Sequence, residues 1–304
     1  MLFSLNVKAQ YRPEAKVIVV GNISVGGNGK TPIVLSVVDY FASRGYQVGV
    51  LSRGYGSKAP NYPHVVSSGD DPSVSGDEPL LLKRRLNVPV VIDPVRRRGA
   101  RLLEGKFGCD LIVCDDGMQH YALARDVEIV VMDDRRWGNG YLLPMGPLRE
   151  GKWRLNTVDA VLFNSERDTE SVTQHNVTSP VFKMNLLPRH WVNVTSPDKT
   201  MDTQQLLTVT QPVSAIAGIG NPSRFFDQLK HDGITLASQT AFVDHHHYTP
   251  DDVPKGIVLM TEKDAVKIQK FAHENCWFLP VDAKVSDAFY ALLENRINDK
   301  LIVK

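Results

Sequence analysis

The stretch from Val17 to Pro32 constrains the fold of this chain more than any other. It reads Val-Ile-Val-Val-Gly-Asn-Ile-Ser-Val-Gly-Gly-Asn-Gly-Lys-Thr-Pro. The first four residues form a continuous apolar run, which is typical of a strand buried on both faces. A glycine-rich turn follows, and Pro32 suits the first turn of a helix, where no backbone N–H is needed. The pattern predicts a strand, a glycine loop and a helix, the arrangement of a phosphate-binding loop.

The residues of this loop suit a bound triphosphate. Backbone N–H groups and the positive end of the helix would converge on an anion, Lys30 would reach the β- and γ-phosphates, and Thr31 could ligate Mg²⁺. The strict motif has glycine at position 24, where this chain has Ser24. A glycine-rich turn with an exposed lysine is the alternative, but the flanking strand and helix favour a phosphate loop. The predicted nucleotide-binding residues are Ser24, Val25, Gly26, Gly27, Asn28, Gly29, Lys30 and Thr31.

Composition places the chain among ordinary globular proteins. Its 304 residues allow one large or two medium domains. A formal net charge of +1 gives no overall field that would attract nucleic acid. The three cysteines lack metal or disulfide spacing, which fits a reducing compartment. Residues 1–6 are too short for the apolar region of a signal peptide, and no transmembrane segment is predicted.

Strands and helices alternate after the glycine loop. A helix follows Pro32 and stops at Gly45, and Val48–Ser52 is the next strand, so this region forms a β–α–β unit. Further apolar runs predict an α/β fold like that of P-loop NTPases, with a mostly parallel, doubly wound sheet. The pattern restarts at Val213 after a polar stretch. We therefore expect a P-loop domain, residues 1–187, and a smaller α/β domain, residues 188–304.

An apolar run that begins near residue 110 ends in two aspartates. Downstream of a phosphate loop, a strand that ends in acidic residues is the Walker B arrangement, in which Asp115 or Asp116 would hold Mg²⁺ directly or through water. Two acidic residues that cap a turn are the alternative, which a phosphate loop makes much weaker. Gln119 and His120 follow within a turn and could face the same cleft.

Two other polar groups allow two interpretations each. Asp77 and Glu78 stand at the start of a predicted helix, where capping and the helix dipole favour carboxylates, so position alone does not separate this role from catalysis. Arg96 to Arg98 follow a predicted strand. They could form a solvated helix face, or clamp an anionic group at the carboxyl end of that strand.

Asp244 precedes three adjacent histidines, residues 245–247. A zinc site is one interpretation, but no second pair of ligands stands at helical or finger spacing. One catalytic imidazole beside a carboxylate is the more economical use of this stretch.

Taken together, these motifs resemble one family, the tetraacyldisaccharide 4′-kinases of lipid A biosynthesis. Each block alone is weak, whereas the set is specific and follows the family's order from about residue 17 to residue 267. The family carries Ser or Thr at the position of Ser24, which explains the departure from the strict motif. The matching blocks are residues 20–32, 52–56 (Ser-Arg-Gly-Tyr-Gly), 76–79 (Gly-Asp-Glu-Pro), 115–120 (Asp-Asp-Gly-Met-Gln-His), 143–150 (Leu-Pro-Met-Gly-Pro-Leu-Arg-Glu), 217–222, 244–245 and 261–267.

The resemblance implies a reaction and its cofactors. The γ-phosphate of ATP would pass, with Mg²⁺ bound, to the 4′-hydroxyl of a tetraacylated glucosamine disaccharide 1-phosphate, giving lipid IVA. Two α/β lobes joined by a strand-like linker would carry the active site in their cleft. Carried over by position, Lys30 and Thr31 bind phosphate and metal, and Asp115 and Asp116 are the Walker B acids. Arg149 contacts nucleotide phosphate, and Glu150 contacts metal. Asp77 is the catalytic base, His245 is its partner from the second lobe, and Arg96, Gln119 and His120 contact the substrate.

A tetraacylated substrate also implies contact with a bilayer, since each buried CH₂ is worth ~0.8 kcal/mol. We expect peripheral association with the cytoplasmic face of the bacterial inner membrane, and no nucleic acid or obligate protein partner. The family normally begins with a hydrophobic N-terminal helix, whereas only residues 1–16 precede the first predicted strand here. Either the start is truncated or the attachment relies on other surfaces.

Two alternative functions remain at this point. A P-loop kinase of another sugar or cofactor would share every nucleotide-binding residue. A switch ATPase or GTPase is the other, since residues 261–264 superficially resemble a guanine-reading motif. That motif needs lysine directly after its first residue, and Glu262 intervenes. Val25 stands where partition-type ATPases place a second lysine, and this difference argues against that class.

Overall fold

The computed structural model describes residues 10–165 and 177–299. Within them the chain forms two compact units. The first comprises the described residues up to Leu186 together with those from Ala283 onward, and the second is Leu187–Asp282. The second unit is therefore inserted, in sequence, between two parts of the first.

The first unit is built on a nine-stranded sheet. Its strands are β1 (Lys16–Gly21), β2 (Val48–Ser52), β3 (His64–Val65), β4 (Val90–Ile92), β5 (Leu111–Asp115), β6 (Val127–Asp133), β7 (Ala160–Asn164), β8 (Val181–Pro188) and β15 (Val281–Val285). Their order is β15-β8-β7-β6-β1-β5-β2-β4-β3. The pairs from β8 to β4 are parallel, and β3 is antiparallel to β4. The central strands are almost entirely buried, as their continuous apolar runs predict.

The helices of the first unit lie between its strands or follow them. They are α1 (Lys30–Ser43), α2 (Pro72–Ser75), α3 (Asp77–Arg85), α4 (Arg96–Phe107) and α8 (Asp287–Asp299), and a short 3-10 helix spans Lys152–Asn156. Helix α1 packs against β1, β2 and β5. Its buried face includes Ile33, Val37 and Phe41, which recur at helical spacing.

The strand order brings the glycine loop and the acidic residues together. Strand β1 lies between β5 and β6, and Val20 is opposite Asp115 in the β1–β5 register. Parallel strands end at the same edge of a sheet, which is where ligands bind in open α/β folds. The loop after β1 and the carboxylates at the end of β5 are therefore neighbours.

The second unit has its own six-stranded sheet, in the order β10-β9-β14-β13-β11-β12. The strands are β9 (Trp191–Asn193), β10 (Thr200–Met201), β11 (Val213–Ala217), β12 (Ser238–Ala241), β13 (Ile257–Thr261) and β14 (Cys276–Leu279). The helices are α5 (Thr203–Leu207), α6 (Pro222–His231) and α7 (Glu262–Ile268), with a 3-10 helix over Pro250–Asp252. Strands β12, β11, β13 and β14 are parallel, and β9 pairs antiparallel with β14 and β10.

The predicted α/β fold with mostly parallel sheets is confirmed. The chain divides differently at its C-terminal end, however. Residues from Ala283 onward belong to the first unit, not to a second domain of residues 188–304, because α8 buries Phe289 and Leu293 in that unit. Among the helices that the structure describes, none is long and apolar enough to cross a membrane.

Candidate active site

Two glycines in the left-handed region shape the loop between β1 and α1. Gly26 has a φ of 98° and Gly29 a φ of 89°, which L side chains rarely adopt. A Cβ at Gly29 would also lie 2.6 Å from Asn164 Nδ2, and one at Gly26 would lie 2.7 Å from Arg135 Nη1. Gly29 is the N-cap of α1, so the loop ends at the positive end of that helix.

Two side chains fix the loop, the buried Asn28 within it and the exposed Arg135 outside it. Asn28 donates from Nδ2 to the Val131 carbonyl and to Ser24 Oγ, both at 3.2 Å. Arg135 donates from Nη2 to the Gly27 carbonyl at 2.8 Å and to Asn28 Oδ1 at 2.7 Å. The Asn28 and Ser24 side chains therefore fix the shape of the loop, and what the loop offers an anion is its backbone.

The segment 147–149 also runs along the loop. Val25 donates its N–H to the Pro147 carbonyl at 2.8 Å, and Arg149 donates its N–H to the Ile23 carbonyl at 2.7 Å. The Val25 amide is thus engaged and is not available to a phosphate in this conformation. The same pairing carries the Arg149 side chain to the loop.

Asp116 contacts both cations that were predicted to bind phosphate. Arg149 Nη1 donates to its two carboxylate oxygens at 3.0 and 2.9 Å, and Lys30 Nζ lies 3.7 Å from Oδ1. Burial would raise the pKa of Asp116, but Lys30 and Arg149 outweigh it and hold the pKa below its usual range. Asp116 has a φ of 49°, a strained conformation of the kind found at functional sites.

Asp115 has the opposite environment. It is 1% exposed, and neither carboxylate oxygen has a hydrogen-bond partner among the described residues. Burial and the nearby Glu78 and Asp116 carboxylates raise the pKa of Asp115, Lys30 and Arg96 oppose the rise, and the net result is a pKa of about 7. A buried carboxylate without a donor is costly, so this site favours either a proton or a cation.

A magnesium ion fits these oxygen donors. Protein-bound Mg²⁺ commonly uses one or two carboxylates and completes its octahedron with waters and substrate phosphates. The unpartnered Asp115 carboxylate and the adjacent Asp116 supply that number, and Thr31 lies in the first turn of α1. Residues 10–165 and 177–299 contain no group of three or more His, Cys, Asp or Glu side chains placed to hold a metal. The donor set therefore suits an ion that shares its coordination with a phosphate.

Of the three arginines that open α4, Arg96 lies beside Asp115. It is 3% exposed and donates to the Asp93 carbonyl at 3.0 Å and the Asp115 carbonyl at 3.5 Å. Its Nε has no partner in the described part of the chain. Arg98 instead binds the Asp93 carboxylate through two nitrogens, at 2.7 and 3.0 Å, and Arg97 is exposed.

His120 is surrounded by cations. Burial lowers the pKa of His120, the nearby Arg96, Arg125 and Arg53 act in the same direction, and together they bring it to about 4. The imidazole is therefore neutral near pH 7. Arg53 follows β2, Arg96 opens the helix after β4, and His120 follows β5. Side chains from the ends of three neighbouring strands therefore share this region.

Glu150 is already hydrogen-bonded on both oxygens. The Tyr121 hydroxyl donates to one, and Gln119 Nε2 and Arg154 Nε approach the other at 3.2 and 3.4 Å. Burial and the bond to Glu150 raise the pKa of Tyr121 to about 12. Glu150 would have to exchange one of these contacts to bind a metal, whereas Asp115 would not. Its predicted metal role stays a prediction.

Asp77 is the first residue of α3 and is 6% exposed. Its Oδ1 accepts the N–H of Glu78 at 2.9 Å. Glu78 is close enough to Asp115 to raise its pKa. The first turn of α3 therefore belongs to the same region as the end of β5.

The second unit has a polar cluster around His245, whose φ is 60°. Lys263 Nζ lies 3.1 Å from Asp244 Oδ1 and 3.5 Å from His245 Nε2. Asp244 Oδ1 also accepts the His245 N–H at 3.1 Å. Asp77 and His245 lie in different units, and their partnership stays a prediction.

Residues 261–267 serve the loop that follows β11. Asp264 is fully buried, and its Oδ1 accepts the Gly218 N–H at 3.1 Å and the Tyr248 hydroxyl at 3.0 Å. Its Oδ2 accepts the Thr261 hydroxyl at 2.6 Å, and Lys267 Nζ lies 2.8 Å from Oδ1. The side chains that resembled a guanine-reading motif are thus occupied within this unit.

Sequence reasoning missed several side chains of the site. Arg53 carried one signal, its place at the carboxyl end of a strand, and Lys263 lay in a matching block without a role. Arg135 and Tyr121 gave none, because their partners are 107 and 29 residues away in the chain. These contacts exist only once the sheet has assembled.

The family model described as tetraacyldisaccharide-1-P 4′-kinase, LpxK, matches residues 1–298 of this chain. The chain belongs to that family. A tetraacyldisaccharide 4′-kinase from Pseudoalteromonas atlantica is 48% identical over 288 residues, which cover 94% of this chain and 90% of the relative. One from Haemophilus influenzae is 47% identical over 292 residues, which cover 94% and 84%.

Solved structures agree with this membership. The crystal structure of LpxK from Aquifex aeolicus in complex with ATP has a TM-score of 0.80 and 29% identity, and the match covers 97% of this chain and 93% of that one. The predicted relation to the tetraacyldisaccharide 4′-kinases is confirmed for nearly the whole chain.

Proposed function

We propose that this chain is an ATP-dependent kinase that transfers the γ-phosphate to the 4′-hydroxyl of a tetraacyldisaccharide 1-phosphate, giving lipid IVA. Its membership of the tetraacyldisaccharide-1-P 4′-kinase family supports the acceptor. The observation that carries the donor half is the set of contacts that joins Lys30 and Arg149 to Asp116, next to the unpartnered Asp115.

The first unit supplies the donor site. Backbone groups of the glycine loop cradle the phosphates at the start of α1, and Lys30 and Arg149 meet the charge that develops on the transferred group. Thr31, Asp115 and Asp116 would hold Mg²⁺, which would supply positive charge to neutralise the phosphates. Asp116 keeps both cations in place before the nucleotide arrives.

The acceptor hydroxyl must lose a proton as the new P–O bond forms. Asp77, at the start of α3, accepts that proton, and His245 of the second unit is its partner. Arg96, Gln119 and His120 contact the acceptor. A buried arginine whose Nε is unpartnered suits an anionic group such as a sugar phosphate.

The two units divide the work. We assign nucleotide binding to the first unit, and His245, the partner of the catalytic base, belongs to the second. The acceptor carries four acyl chains, so the enzyme works as a peripheral protein at the cytoplasmic face of the inner membrane.

The test is ATP-dependent phosphorylation of purified tetraacyldisaccharide 1-phosphate in detergent. We expect one ADP per acceptor and a new phosphate at the 4′ position, located by ³¹P NMR and mass spectrometry. Lys30→Ala, which removes the phosphate-contacting ammonium, is the negative control. A deacylated acceptor and GTP are the two comparison substrates.

Three outcomes would contradict the proposal. Equal turnover of the deacylated acceptor would favour a kinase of a soluble sugar. Preference for GTP, or nucleotide hydrolysis that ignores the acceptor, would favour a switch NTPase. Phosphate at another hydroxyl would leave a lipid kinase of different regiochemistry.

A further inference from the structure

The first unit displays large apolar side chains on one loop and the helix next to it. Tyr141, Leu142, Leu143 and Met145, together with Trp153 of the 3-10 helix, are between 51% and 74% exposed. We call these five side chains the apolar surface. Single exposed apolar residues are ordinary, but four within five positions are not.

The loop that carries this surface is tightly bonded. Leu143 donates its N–H to the Leu148 carbonyl at 2.8 Å, and Leu148 donates back to the Tyr141 carbonyl at 3.2 Å. Leu148 itself is 1% exposed and anchors the loop in the core. Asn139 Nδ2 donates to the Met145 carbonyl at 2.9 Å. The apolar side chains are therefore held outward by an ordered backbone.

Lys152 joins the loop to the 3-10 helix. Its Nζ lies 4.7 Å from the centre of the Trp137 ring and 3.2 Å from the position of a Cβ at Gly140. Trp153 follows it in the chain. The loop and the helix thus form a continuous area in which aliphatic, aromatic and cationic groups alternate.

The charge around this surface favours an anionic partner. The exposed Lys152 and the half-buried Arg136 add positive charge to this area, whereas Arg135, Arg149 and Arg154 are paired with Asp133, Asp116 and Glu128. Protein segments that bind at a membrane–water interface commonly combine Tyr or Trp with Lys or Arg around apolar side chains such as Leu. The apolar surface and its neighbours have this composition.

The surface is continuous with the site that would receive the lipid. Residues 147–149 pair with the glycine loop, and Arg149 contacts Asp116. A bilayer held at Leu142 and Leu143 would therefore bring acyl chains to the edge of the phosphate-transfer site.

We propose that the apolar surface inserts into the headgroup region of an anionic bilayer and sets the enzyme at the membrane. The inference rests on the proposed function, because a lipid acceptor is what makes a membrane the fitting occupant. It adds which residues make the contact.

The test is flotation of the full chain with vesicles of zwitterionic and anionic phospholipid, compared with zwitterionic vesicles alone. Leu143→Ser and Leu207→Ser remove the same side chain at similar exposure, 52% and 42%, on the apolar surface and on the second unit. We expect Leu143→Ser to lower the lipid partition coefficient by several-fold and Leu207→Ser to leave it within about 2-fold. Leu142→Ser/Leu143→Ser together should lower it by ~10-fold or more. Lys152→Gln should reduce binding to the vesicles that contain anionic lipid and leave binding to the purely zwitterionic vesicles unchanged.

Tryptophan fluorescence gives a direct readout. Brominated lipids should quench wild-type emission, and Trp153→Phe should remove most of that quenching. Turnover of acceptor dispersed in detergent should be unchanged in all these variants. Vesicle binding that survives the Leu142→Ser/Leu143→Ser change, or a raised KM for ATP in its place, would overturn the surface assignment. Absence of 4′-phosphorylation by the wild-type enzyme in detergent would instead overturn the proposed function.

Discussion

At the scale of single residues, Asp115 and Asp116 are adjacent in sequence but differ in their electrostatics. Lys30 and Arg149 outweigh the effect of burial on Asp116 and lower its pKa. Asp115 has no donor among the described residues, and burial raises its pKa to about 7. Environments that separate the pKa values of two carboxyl groups often mark different roles. Here Asp116 contacts Lys30 and Arg149, and in the proposed function Asp115 is the carboxylate that is open to a bound ion.

Replacing Asp115 should stabilise the nucleotide-free protein while it impairs function. A carboxyl group whose pKa is raised on folding costs stability above its unfolded pKa, so this cost grows as pH rises from about 4 to about 7. We expect Asp115→Asn to raise the free energy of unfolding by roughly 1–4 kcal/mol at pH 8, and by less at pH 5. Urea titration of both proteins across this range measures the difference.

Asp116→Asn is the matched control. The pKa of Asp116 is lowered on folding, so its charge contributes stability above the unfolded pKa, and the control should lose stability where Asp115→Asn gains it. Both variants should bind Mg²⁺·ATP more weakly, by isothermal titration. A loss of stability in both variants would mean that the Asp115 carboxylate has a partner in solution.

Asp77 should affect turnover more than nucleotide binding. Asp77→Asn keeps an oxygen that can accept the Glu78 N–H, but it cannot accept the proton of the acceptor hydroxyl. We expect kcat to fall by ~10²–10⁴-fold with the KM for ATP nearly unchanged. Lys30→Ala should abolish turnover. An Asp77→Asn or Asp77→Ala enzyme with near-normal kcat would rule out the base assignment.

At the scale of elements, the glycine loop depends on its neighbours as much as on its own sequence. Gly29 faces Asn164 at the end of β7, and Arg135, just after β6, bonds to Gly27 and Asn28. Both strands lie on the β6 side of β1. The sheet therefore sets the shape of the loop from one side.

Two glycines with the same φ separate backbone strain from packing. Gly29 and Gly45 both have a φ of 89°, but a Cβ at Gly29 would meet Asn164 Nδ2 at 2.6 Å, whereas nothing lies within 4 Å of one at Gly45. Gly45→Ala should cost about 1 kcal/mol of stability and leave ATP binding intact. Gly29→Ala should cost more and weaken ATP binding by ~10-fold or more. If Gly29→Ala and Gly45→Ala had equal effects on thermal unfolding and on ATP binding by calorimetry, the Asn164 side chain would be able to move away from the new Cβ at no cost.

Strands with continuous apolar runs could be predicted from the sequence, whereas strands near or at the edges of the two sheets could not. The buried strands β1, β2 and β5 appear where the sequence predicts them. Strand β8 alternates weakly, with Met184 its single buried residue, and β12 is exposed throughout, so neither carries a clear pattern. In the site, the loop and the acidic pair could be predicted because they are local motifs, whereas the choice of Arg96 over Arg98 depends on the buried Asp93.

At the scale of the whole molecule, the C-terminal helix completes the unit that holds the glycine loop. Tyr290 of α8 stacks on Tyr40 of α1 at 4.3 Å, and its hydroxyl bonds to Ser36. Phe289 is fully buried, and Arg296 Nε lies 3.3 Å from Asp159 Oδ1. The helix that begins at Lys30 is therefore supported by residues beyond the inserted second unit.

This arrangement predicts that the first unit can bind nucleotide without the second. Strands β8 and β15 are neighbours in one sheet, so a short Gly-Ser linker can replace residues 187–282. We expect this variant to fold, to bind Mg²⁺·ATP within ~10-fold of the full chain, and to phosphorylate the acceptor at least ~10²-fold more slowly, since His245 is gone. A second variant that ends at Leu186 lacks Phe289 and Tyr290 and should lose cooperative unfolding as well as ATP binding. If the linker variant folds by circular dichroism but fails to bind ATP in calorimetry, the second unit contributes to the donor site, and the division of work proposed above is wrong.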